Sequence, residues 1–457
     1  MLSMKNILNT AVVLSLCGWA TGVTFAETVS VTKDCSLGPP CSVTSTSTPD
    51  GFFRLTSSTF NWEASYSLGT TLGHFWVSDT GANMATTRLS TAAGQLGGTA
   101  TLPLGIHYIS IRFAGMSAGT YSVFGPGVHG DPHITTTNGI HYDFQGAGEF
   151  VMLKHPEKYE VQTRMTPVAT TGPIPANPHT GLSTCVSINT AAAVRVGKQR
   201  VTYEPNASGK PDPAGLQLRI DGELVSGRVD GKQLKDGGKI WKDATSGELR
   251  IQHPDFTGVR IIPHWWAAQN LWYLDLDMTS PPETVGIAGH IPDRGWLPAL
   301  ADGSPMGVKP ADLHDRYNAL YVKFADSWRV TDSNTLFDYA PGKSTKTYTM
   351  TDWPGEEGKC SLPSTDPVHG VETNVAEQAC KAINSPRFKQ FCMFDVMVTG
   401  NIGFGQNYAG YEKPTKTKPV ESKPSDNDPG LVQWLLLLIV ILLILWILLA
   451  TKMGKKL

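Results

Sequence analysis

The sequence predicts a mainly β protein: an antiparallel β-sandwich that follows a small β-domain and precedes a short, disulfide-stapled helical subdomain, a disordered stalk and one transmembrane helix. Three observations predict the β class. Short segments rich in β-branched and aromatic residues recur along the chain, turn-forming dipeptides separate them, and no alternation of strands with helices occurs. The last observation excludes a doubly wound α/β fold.

Residues 126–341 carry the densest strand signals. The alternating segments are 150–154, 159–165, 193–203, 216–225, 248–253, 258–263 and 271–278. Asn138-Gly139, Gly197-Lys198 and Asp221-Gly222 lie between such segments, and these residue types tolerate the positive φ of two-residue hairpin turns. We therefore expect antiparallel strands in two packed sheets.

The regions on either side differ in composition. Residues 27–125 are rich in Ser, Thr and Gly, and the β-prone runs 52–55, 74–77 and 107–113 predict a small β-rich domain that acts as a spacer or recognition module. Residues 342–410 contain two predicted helices, 375–384 and 386–391, which carry Cys380 and Cys392. Residues 411–430 alternate Pro with Lys and bury nothing, which predicts the disordered stalk.

Both ends carry apolar runs. The run within residues 1–26 is too short to span a bilayer and predicts a signal peptide cleaved after Ala26, with an N-terminal anchor as the alternative. Residues 431–450 are uncharged and match the roughly 20 residues of a membrane span, and basic residues follow in 451–457. We expect a single-pass membrane protein with its N-terminus outside, periplasmic or extracellular, and its C-terminus cytoplasmic. A lipid-anchor signal is the weaker alternative for this tail.

Charge and cysteine usage narrow the class further. The formal net charge of −2 gives no electrostatic case for nucleic-acid binding. Cys17 leaves with the signal peptide, and the even set that remains predicts disulfides in an oxidising compartment. That set is Cys35, Cys41, Cys185, Cys360, Cys380 and Cys392. The Gly-Pro-Pro turn favours a Cys35–Cys41 pair, whereas the other four cysteines allow three connectivities.

One block is specific to a family. GDPHITTTNGIHYDFQGAGEF, residues 130–150, resembles the opening of a von Willebrand factor type D (VWD) domain. The resemblance continues in pieces through Trp272-Tyr273, Val285-Gly286-Ile287-Ala288-Gly289 and Trp328-Arg329-Val330. It extends to Cys380 and to residues 392–400, which are similar to the cysteine-containing tail that follows such domains. The resemblance implies a β-sandwich over residues 126–341.

The resemblance also implies a structural calcium ion, which would be the only cofactor. In the matching loop, however, Ala288 stands where the family has a cysteine and His290 where it has an asparagine. Calcium binds six to eight oxygens, and Asp143, Asp293 and Asp302 are the candidate ligands that remain. His129, His133 and His141 cluster near the opening block, but their spacing matches no transition-metal pattern, so we expect structural roles for them.

The leading functional hypothesis is a cell-surface or envelope adhesion or assembly protein that recognises a protein or glycan, and not an enzyme. No hydrolase, metalloprotease or nucleotide-binding motif is present. The alternative, which the resemblance implies for some family members, is self-cleavage between Asp131 and Pro132, with His133 as general acid. Against it, we expect Asp131 to accept backbone hydrogen bonds, which would favour the charged carboxylate and suppress the reaction.

Overall fold

The structure is a computed structural model. It describes strand backbone between residues 31 and 124, and backbone with side chains over 126–411 except 158, 171–175, 178, 183–184, 206–214, 227, 254–257, 279–282, 356–370 and 384. The predicted signal peptide (1–26), transmembrane helix (431–450), basic tail (451–457) and Cys35–Cys41 pair lie outside the residues described with side chains. So does the predicted stalk beyond Glu412. Among the helices of the described segments, none has the length and apolar character needed to cross a membrane.

The strand backbone of the first region forms two sheets. The first has the order β1-β3-β8-β5-β6 and the second the order β2-β9-β4-β7. Their strands are β1 (Val31–Cys35), β2 (Cys41–Ser45), β3 (Gly51–Leu55), β4 (Thr59–Tyr66), β5 (Gly73–Ser78), β6 (Thr87–Ser90), β7 (Gly97–Thr101), β8 (His107–Phe113) and β9 (Gly119–Phe124). The pairs are antiparallel except β1 with β3. The three β-prone runs predicted from the sequence all correspond to strands.

The second region contains two antiparallel sheets. One has eight strands in the order β12-β11-β10-β23-β22-β21-β20-β19, and the other is a meander of six, β13 to β18. The strands before residue 200 are β10 (Gly127–His129), β11 (His133–Thr135), β12 (His141–Asp143), β13 (Gly148–Lys154), β14 (Tyr159–Val168), β15 (Val186–Val196) and β16 (Gln199–Pro205). The others are β17 (Leu216–Ile220), β18 (Glu223–Leu224), β19 (Val229–Gln233), β20 (Lys239–Lys242), β21 (Leu249–Gln252), β22 (Gly258–Trp266) and β23 (Leu271–Met278).

The two sheets share one hydrophobic core. Val128 and Leu276 of the eight-stranded sheet are fully buried in the same cluster as Phe150, Val161 and Val194 of the meander. Burying one such side chain contributes about 1.5–3 kcal/mol, so the shared cluster is the main source of stability in this region. The prediction of a mainly β, antiparallel fold is confirmed at this level.

Two of the three predicted hairpin turns have the expected form. Val196 pairs with Gln199 across Gly197-Lys198, and Ile220 pairs with Glu223 across Asp221-Gly222. Asp221 and Gly222 have φ values of 53° and 87°, as such a turn requires. The prediction of a two-residue turn at Asn138-Gly139 is wrong. Thr135 pairs with His141, so the connection spans residues 136–140, closed by a Thr136 N–H to Ile140 O bond of 3.0 Å.

A helical segment after the sheets was not predicted. It comprises α1 (Leu313–Tyr317), a π-helical stretch (Asn318–Phe324) and α2 (Ala325–Trp328). Leu320, Phe324 and Trp328 are buried at intervals of four residues and join the shared core. A single-turn helix, α3 (Thr345–Tyr348), follows.

The C-terminal cap, which we define as residues 371–411, contains three helices: α4 (Thr373–Ala379), α5 (Pro386–Thr399) and α6 (Gly403–Glu412). Ser385 caps α5 and Pro386 occupies its first turn, which sets the start that the sequence predicted. The predicted end near residue 391 is wrong, because the helix continues to a left-handed Gly400. The predicted start of the stalk at residue 411 is also corrected, since α6 runs to Glu412.

The structure describes one disulfide among the four cysteines whose connectivity the sequence leaves open. Cys380 is bonded to Cys392, with Cα atoms 6.0 Å apart, inside the helical cap. Cys185 is also disulfide-bonded. Its partner, like Cys360, lies outside the described residues.

Candidate functional site

The Gly-Asp-Pro-His block forms the tip of the first hairpin of the eight-stranded sheet. His129 of β10 pairs with His133 of β11, so residues 130–132 make the turn. Gly130 has a φ of 61°, and a Cβ atom there would collide with the Asp395 carboxylate and the Tyr408 hydroxyl. The Gly130 N–H donates to Asp275 Oδ1 at 2.8 Å. Only glycine fits this position, and Asp131-Pro132 is thereby held at a fixed tip.

His133 lies among three buried carboxylates. Its Nδ1 is 2.6 Å from Asp143 Oδ1, and its Nε2 is 2.7 Å from Asp395 Oδ1 and 3.2 Å from Asp131 Oδ1. The exposed fractions are 3% for His133, 0% for Asp131, 8% for Asp143 and 0% for Asp395. Four ionisable groups thus share a volume from which water is excluded, and each sets the charge of the others.

Among the residues described with side chains, none donates a hydrogen bond to either carboxylate oxygen of Asp131. The expectation that it accepts backbone hydrogen bonds is therefore wrong, because the nearby Gly130 N–H is directed to Asp275 instead. Burial and the adjacent Asp395 raise the pKa of Asp131 well above its ordinary value, against the opposing effect of His133. The geometry therefore favours the neutral carboxyl of Asp131. This is the form that the reaction needs, and the expected backbone hydrogen bonds would have disfavoured it.

His133 carries the positive charge of the group. Burial by itself would lower the pKa of His133, but Asp395, Asp131 and Asp143 outweigh it and raise that pKa well above the ordinary value. Both ring nitrogens face carboxylates, as a doubly protonated imidazolium requires. The ring of Phe391 stacks on the imidazole with centroids 4.2 Å apart and planes inclined by 10°, which closes that face to solvent.

The remaining two carboxylates are held by further donors. Asn177 donates its amide to Asp143. Burial raises the pKa of Asp143, but the charge and hydrogen bond of His133 and the bond from Asn177 lower it below its ordinary value. Tyr408 donates its hydroxyl to Asp395 Oδ2 at 2.8 Å, yet burial keeps the pKa of Asp395 above its ordinary value.

A second group of buried aspartates, on strand β23, contacts both the hairpin and the cap. Asp275 and Asp277 of β23 are both buried. Asp275 Oδ2 accepts from Tyr411 at 2.5 Å and lies 2.9 Å from His264 Nε2. Asp277 Oδ1 lies 2.7 Å from His129 Nε2, and its Oδ2 accepts from Arg260 at 3.2 Å. This group fixes both the strand before the turn and the cap above it.

Asp131, His133 and Asp395 each offer a ligand atom within 4.8 Å of the others, so a bound cation is a competing interpretation. A metal ligand needs a free lone pair on the histidine nitrogen. The imidazolium form of His133 has none, because Nε2 donates to Asp395 and Nδ1 to Asp143. A cation bound by Nε2 would therefore have to displace the contact of that nitrogen with Asp395.

The calcium candidates do not form one group in the part of the chain with described side chains. Asp143 lies under the hairpin against His133, whereas Asp293 and Asp302 are exposed. Asp302 accepts from the Ser304 N–H at 2.9 Å within its own turn, and this bond lowers the pKa of Asp302. The calcium site stays a prediction. The three clustered histidines have separate partners, and His141 Nδ1 lies 3.0 Å from Thr135 Oγ1.

Sequence reasoning singled out Asp131, Pro132, His133 and Asp143 and missed Asp395. Asp395 lies 262 residues from His133, and no local pattern links the two. One signal was present: Asp395 is the sole charged residue in the apolar run CMFDVMV of α5. A similar signal lies in β23, where Asp275 and Asp277 interrupt LWYLDLDM on one face of the strand. A charge at a core position needs a partner.

No protein-family model matches the chain. One solved structure that aligns with part of it is PliG of Aeromonas hydrophila, described as a periplasmic lysozyme inhibitor of g-type lysozyme. The alignment covers 20% of this chain and 97% of that one, with 13% identity and a TM-score of 0.16. A match this weak carries no argument about fold or function.

Proposed function

We propose that this protein cleaves its own backbone between Asp131 and Pro132, and that it does so as a VWD-like module of an exported, membrane-anchored surface protein. One observation carries the proposal: the Asp131 carboxyl is fully buried, accepts no hydrogen bond from the described residues, and lies 3.2 Å from Nε2 of His133. The module assignment rests on the resemblance of residues 130–150, and the two antiparallel sheets agree with it.

The bond-breaking step uses the carboxyl of Asp131 and the imidazolium of His133, and water entering afterwards completes the reaction. An Asp131 Oδ atom bonds to the carbonyl carbon of the same residue and closes a five-membered anhydride, while the bond from that carbon to Pro132 N breaks. His133 donates a proton to the departing nitrogen and recovers one from the Asp131 carboxyl. One water molecule then opens the anhydride, leaving a C-terminal Asp131 and an N-terminal Pro132. His133 is thus the general acid.

The turn geometry assists this reaction in two ways. Asp131 lies in a turn whose ends are fixed by the pairing of His129 with His133, so the carboxyl needs no large conformational search. The Pro132 carbonyl accepts the Phe144 N–H at 3.2 Å, which holds the leaving segment in place.

The test is the appearance of two fragments from the purified full-length protein on a denaturing gel, with the new N-terminus at Pro132 confirmed by mass spectrometry. Asp131→Ala should abolish the fragments and Asp131→Asn should strongly slow them, because the amide does not form the anhydride. Pro132→Ala should slow cleavage by removing the more basic leaving nitrogen. Asp326→Asn, an exposed aspartate of α2, is the matched control and should cleave normally. An intact wild-type chain at every pH would refute the proposal.

The predicted adhesion function is a second candidate, favoured by one surface feature. A groove of about 410 Å³ lies beside β20 and is lined by Tyr203, Lys242 and Trp272 among others. Lys242 Nζ lies 5.2 Å from the centroid of the Tyr203 ring, and burial lowers the pKa of this lysine. The half-buried ring of Trp272 together with the Lys242 cation suits a glycan or an acidic peptide. Loss of cell or glycan binding in Lys242→Ala, with wild-type binding in exposed Lys232→Ala, would support this role.

A further inference from the structure

We propose that Asp395 of the C-terminal cap is a positioning residue for cleavage, so that the Asp131–Pro132 bond becomes scissile only after the cap has docked on the hairpin. This inference rests on the proposed self-cleavage. It adds the requirement that the cap be docked, which the Asp-Pro sequence alone does not contain. Asp395 would come from the C-terminal end of the ectodomain, far from Asp131 in the sequence.

Asp395 is fully engaged between the hairpin and the cap. Its Oδ1 accepts from His133 Nε2 at 2.7 Å, and its Oδ2 accepts from the Tyr408 hydroxyl at 2.8 Å. Tyr408 belongs to α6 and Asp395 to α5, so two cap helices together fix the carboxylate. Because Asp143 holds the opposite nitrogen, the imidazole is clamped between two carboxylates, and Asp395 is the one on the side of Asp131.

The cap also keeps water from the hairpin tip. Phe391 covers one face of the His133 ring, and the Asp395 carboxylate and Tyr408 hydroxyl lie directly against Gly130. Tyr411 bonds to Asp275, the same carboxylate that accepts the Gly130 N–H. Without the cap these groups would face solvent, and a hydrated Asp131 would return to the behaviour of an ordinary aspartate.

The Cys380–Cys392 disulfide makes the position of Asp395 depend on oxidation of the two cysteines. Cys392 precedes Asp395 by three residues, about one helical turn, and it is bonded to Cys380 at the end of α4. Helix α5 is therefore tied to α4 one turn away from the carboxylate that reaches His133. Cleavage would then follow export, oxidation and docking of the cap, and a chain still being made would stay intact.

The experiment compares full-length wild type with Asp395→Asn, Tyr408→Phe and Glu377→Gln, following the first-order rate of fragment appearance across pH 3–9. Glu377 is an exposed cap residue on α4 and serves as the control for loss of a charge. Asp395→Asn should cleave at least tenfold more slowly, with its pH midpoint displaced toward acid. Tyr408→Phe should be slowed by a smaller factor, and Glu377→Gln should match wild type.

Undocking of the cap would also move the midpoint toward acid, so hydrogen exchange in α5 and α6 is measured alongside the pH profile. A displaced midpoint with wild-type exchange in both helices reports on the Asp395 carboxylate and not on a loss of structure. The described charged and titratable groups around Asp131 and His133 are Asp143, Asp275, Asp277, Asp395, His129, His141, His264, Arg260, Arg387, Tyr321, Tyr408 and Tyr411. Of these, Asp395 makes the largest charge interaction with both Asp131 and His133. Its removal should thus displace the profile more than any other cap substitution.

Two results would overturn the inference while leaving self-cleavage intact. One is an Asp395→Asn variant that forms the Cys380–Cys392 disulfide and still cleaves with the wild-type rate and the wild-type pH midpoint. If Asp395→Asn does not fold, Tyr408→Phe decides, because it retains the ring and removes one hydrogen bond; an unchanged rate there would count against the inference. A wild-type chain that never cleaves would remove both proposals together.

Discussion

Oδ1 of Asp143 and Nδ1 of His133 are 2.6 Å apart, on the side of the imidazole ring away from Asp395. Asp143 is the residue that fixes the orientation of the ring, because Asn177 in turn fixes Asp143. The pair belongs to the β11–β12 hairpin, where His133 lies directly opposite Asp143 in the register. The β11–β12 hairpin therefore orients the general acid His133 through Nδ1. The partner of its Nε2, Asp395, comes from the C-terminal cap.

The first prediction concerns that pair. His133→Ala should lower the cleavage rate by about a hundredfold or more, since general acid catalysis contributes about 10²–10⁴-fold. Asp143→Asn should lower it by about tenfold, because the acid remains but is less charged and less well oriented. Rates are measured from band intensities over time. Asp326→Asn, at the exposed aspartate of α2, should have no effect. Equal rates in Asp143→Asn and wild type would show that this orientation is irrelevant.

The second prediction is the pH dependence of cleavage. The reaction needs a protonated Asp131 and a charged His133. Burial raises the pKa of Asp131, and the carboxylates of Asp395 and Asp143 raise the pKa of His133 while Asp131 is neutral. A raised pKa keeps each group protonated to higher pH. Cleavage should therefore still proceed at pH 5 and should decline as pH rises through the raised value. For an unperturbed aspartate the decline would lie near pH 3.9.

Denatured protein provides the control for that profile. In urea the same Asp-Pro bond loses its buried surroundings, so its cleavage should be confined to the acid range of an ordinary aspartate. Superimposable profiles for the folded and denatured chains would show that the fold contributes nothing to the reaction.

The third prediction concerns Arg164, a buried charge in the meander. It bonds to Glu149 Oε1 at 2.7 Å and to Glu204 Oε2 at 3.2 Å, and its guanidinium lies over the ring of Tyr348. Arg164→Met should lower the free energy of unfolding by about 3–5 kcal/mol, because it leaves two buried carboxyls without their cation. Urea denaturation measures this. Arg228→Met, at an exposed pair with Asp230, should change it by less than about 1 kcal/mol.

The fourth prediction concerns the cap disulfide. The Cys380→Ala, Cys392→Ala double variant should destabilise the cap by about 3 kcal/mol, the entropic effect of closing a loop of this size. Hydrogen exchange should then increase in α5 and α6 while the shared core of the two sheets keeps its protection. Uniform exchange across the cap and the sheets would indicate that the cap is not a separate unit of stability.

Much of the fold could be predicted because its signals are local. Gly197-Lys198 and Asp221-Gly222 each form a hairpin from the conformational preferences of two residues. The errors arose where tertiary packing decides. The helix over residues 313–328 depends on Leu320, Phe324 and Trp328 reaching the shared core, and the exposed apolar Val322 between them interrupts the amphipathic pattern.

The site shows the same division. His133 and Asp143 are ten residues apart, within one short hairpin, so a sequence pattern finds both. Asp395 contacts His133 only because the cap folds back over the sheet. The protonation of Asp131 was predicted in the wrong direction for a related reason. It depends on the acceptor of the Gly130 N–H, which is Asp275 of β23, a residue distant in the sequence.

The position of β10 determines what a cut would leave behind. The strand lies between β11 and β23, and its register joins Val128 to both Ile134 and Leu276. The scission point follows immediately after it, so β10 stays with the N-terminal piece while both neighbours stay with the C-terminal piece. The two pieces should therefore co-elute in native size-exclusion chromatography, with or without reductant, and separate in denaturant. Cleavage would replace a covalent connection by non-covalent strand pairing: the N-terminal fragment would be released by withdrawing β10 from the sheet, at a force far below that needed to break a backbone.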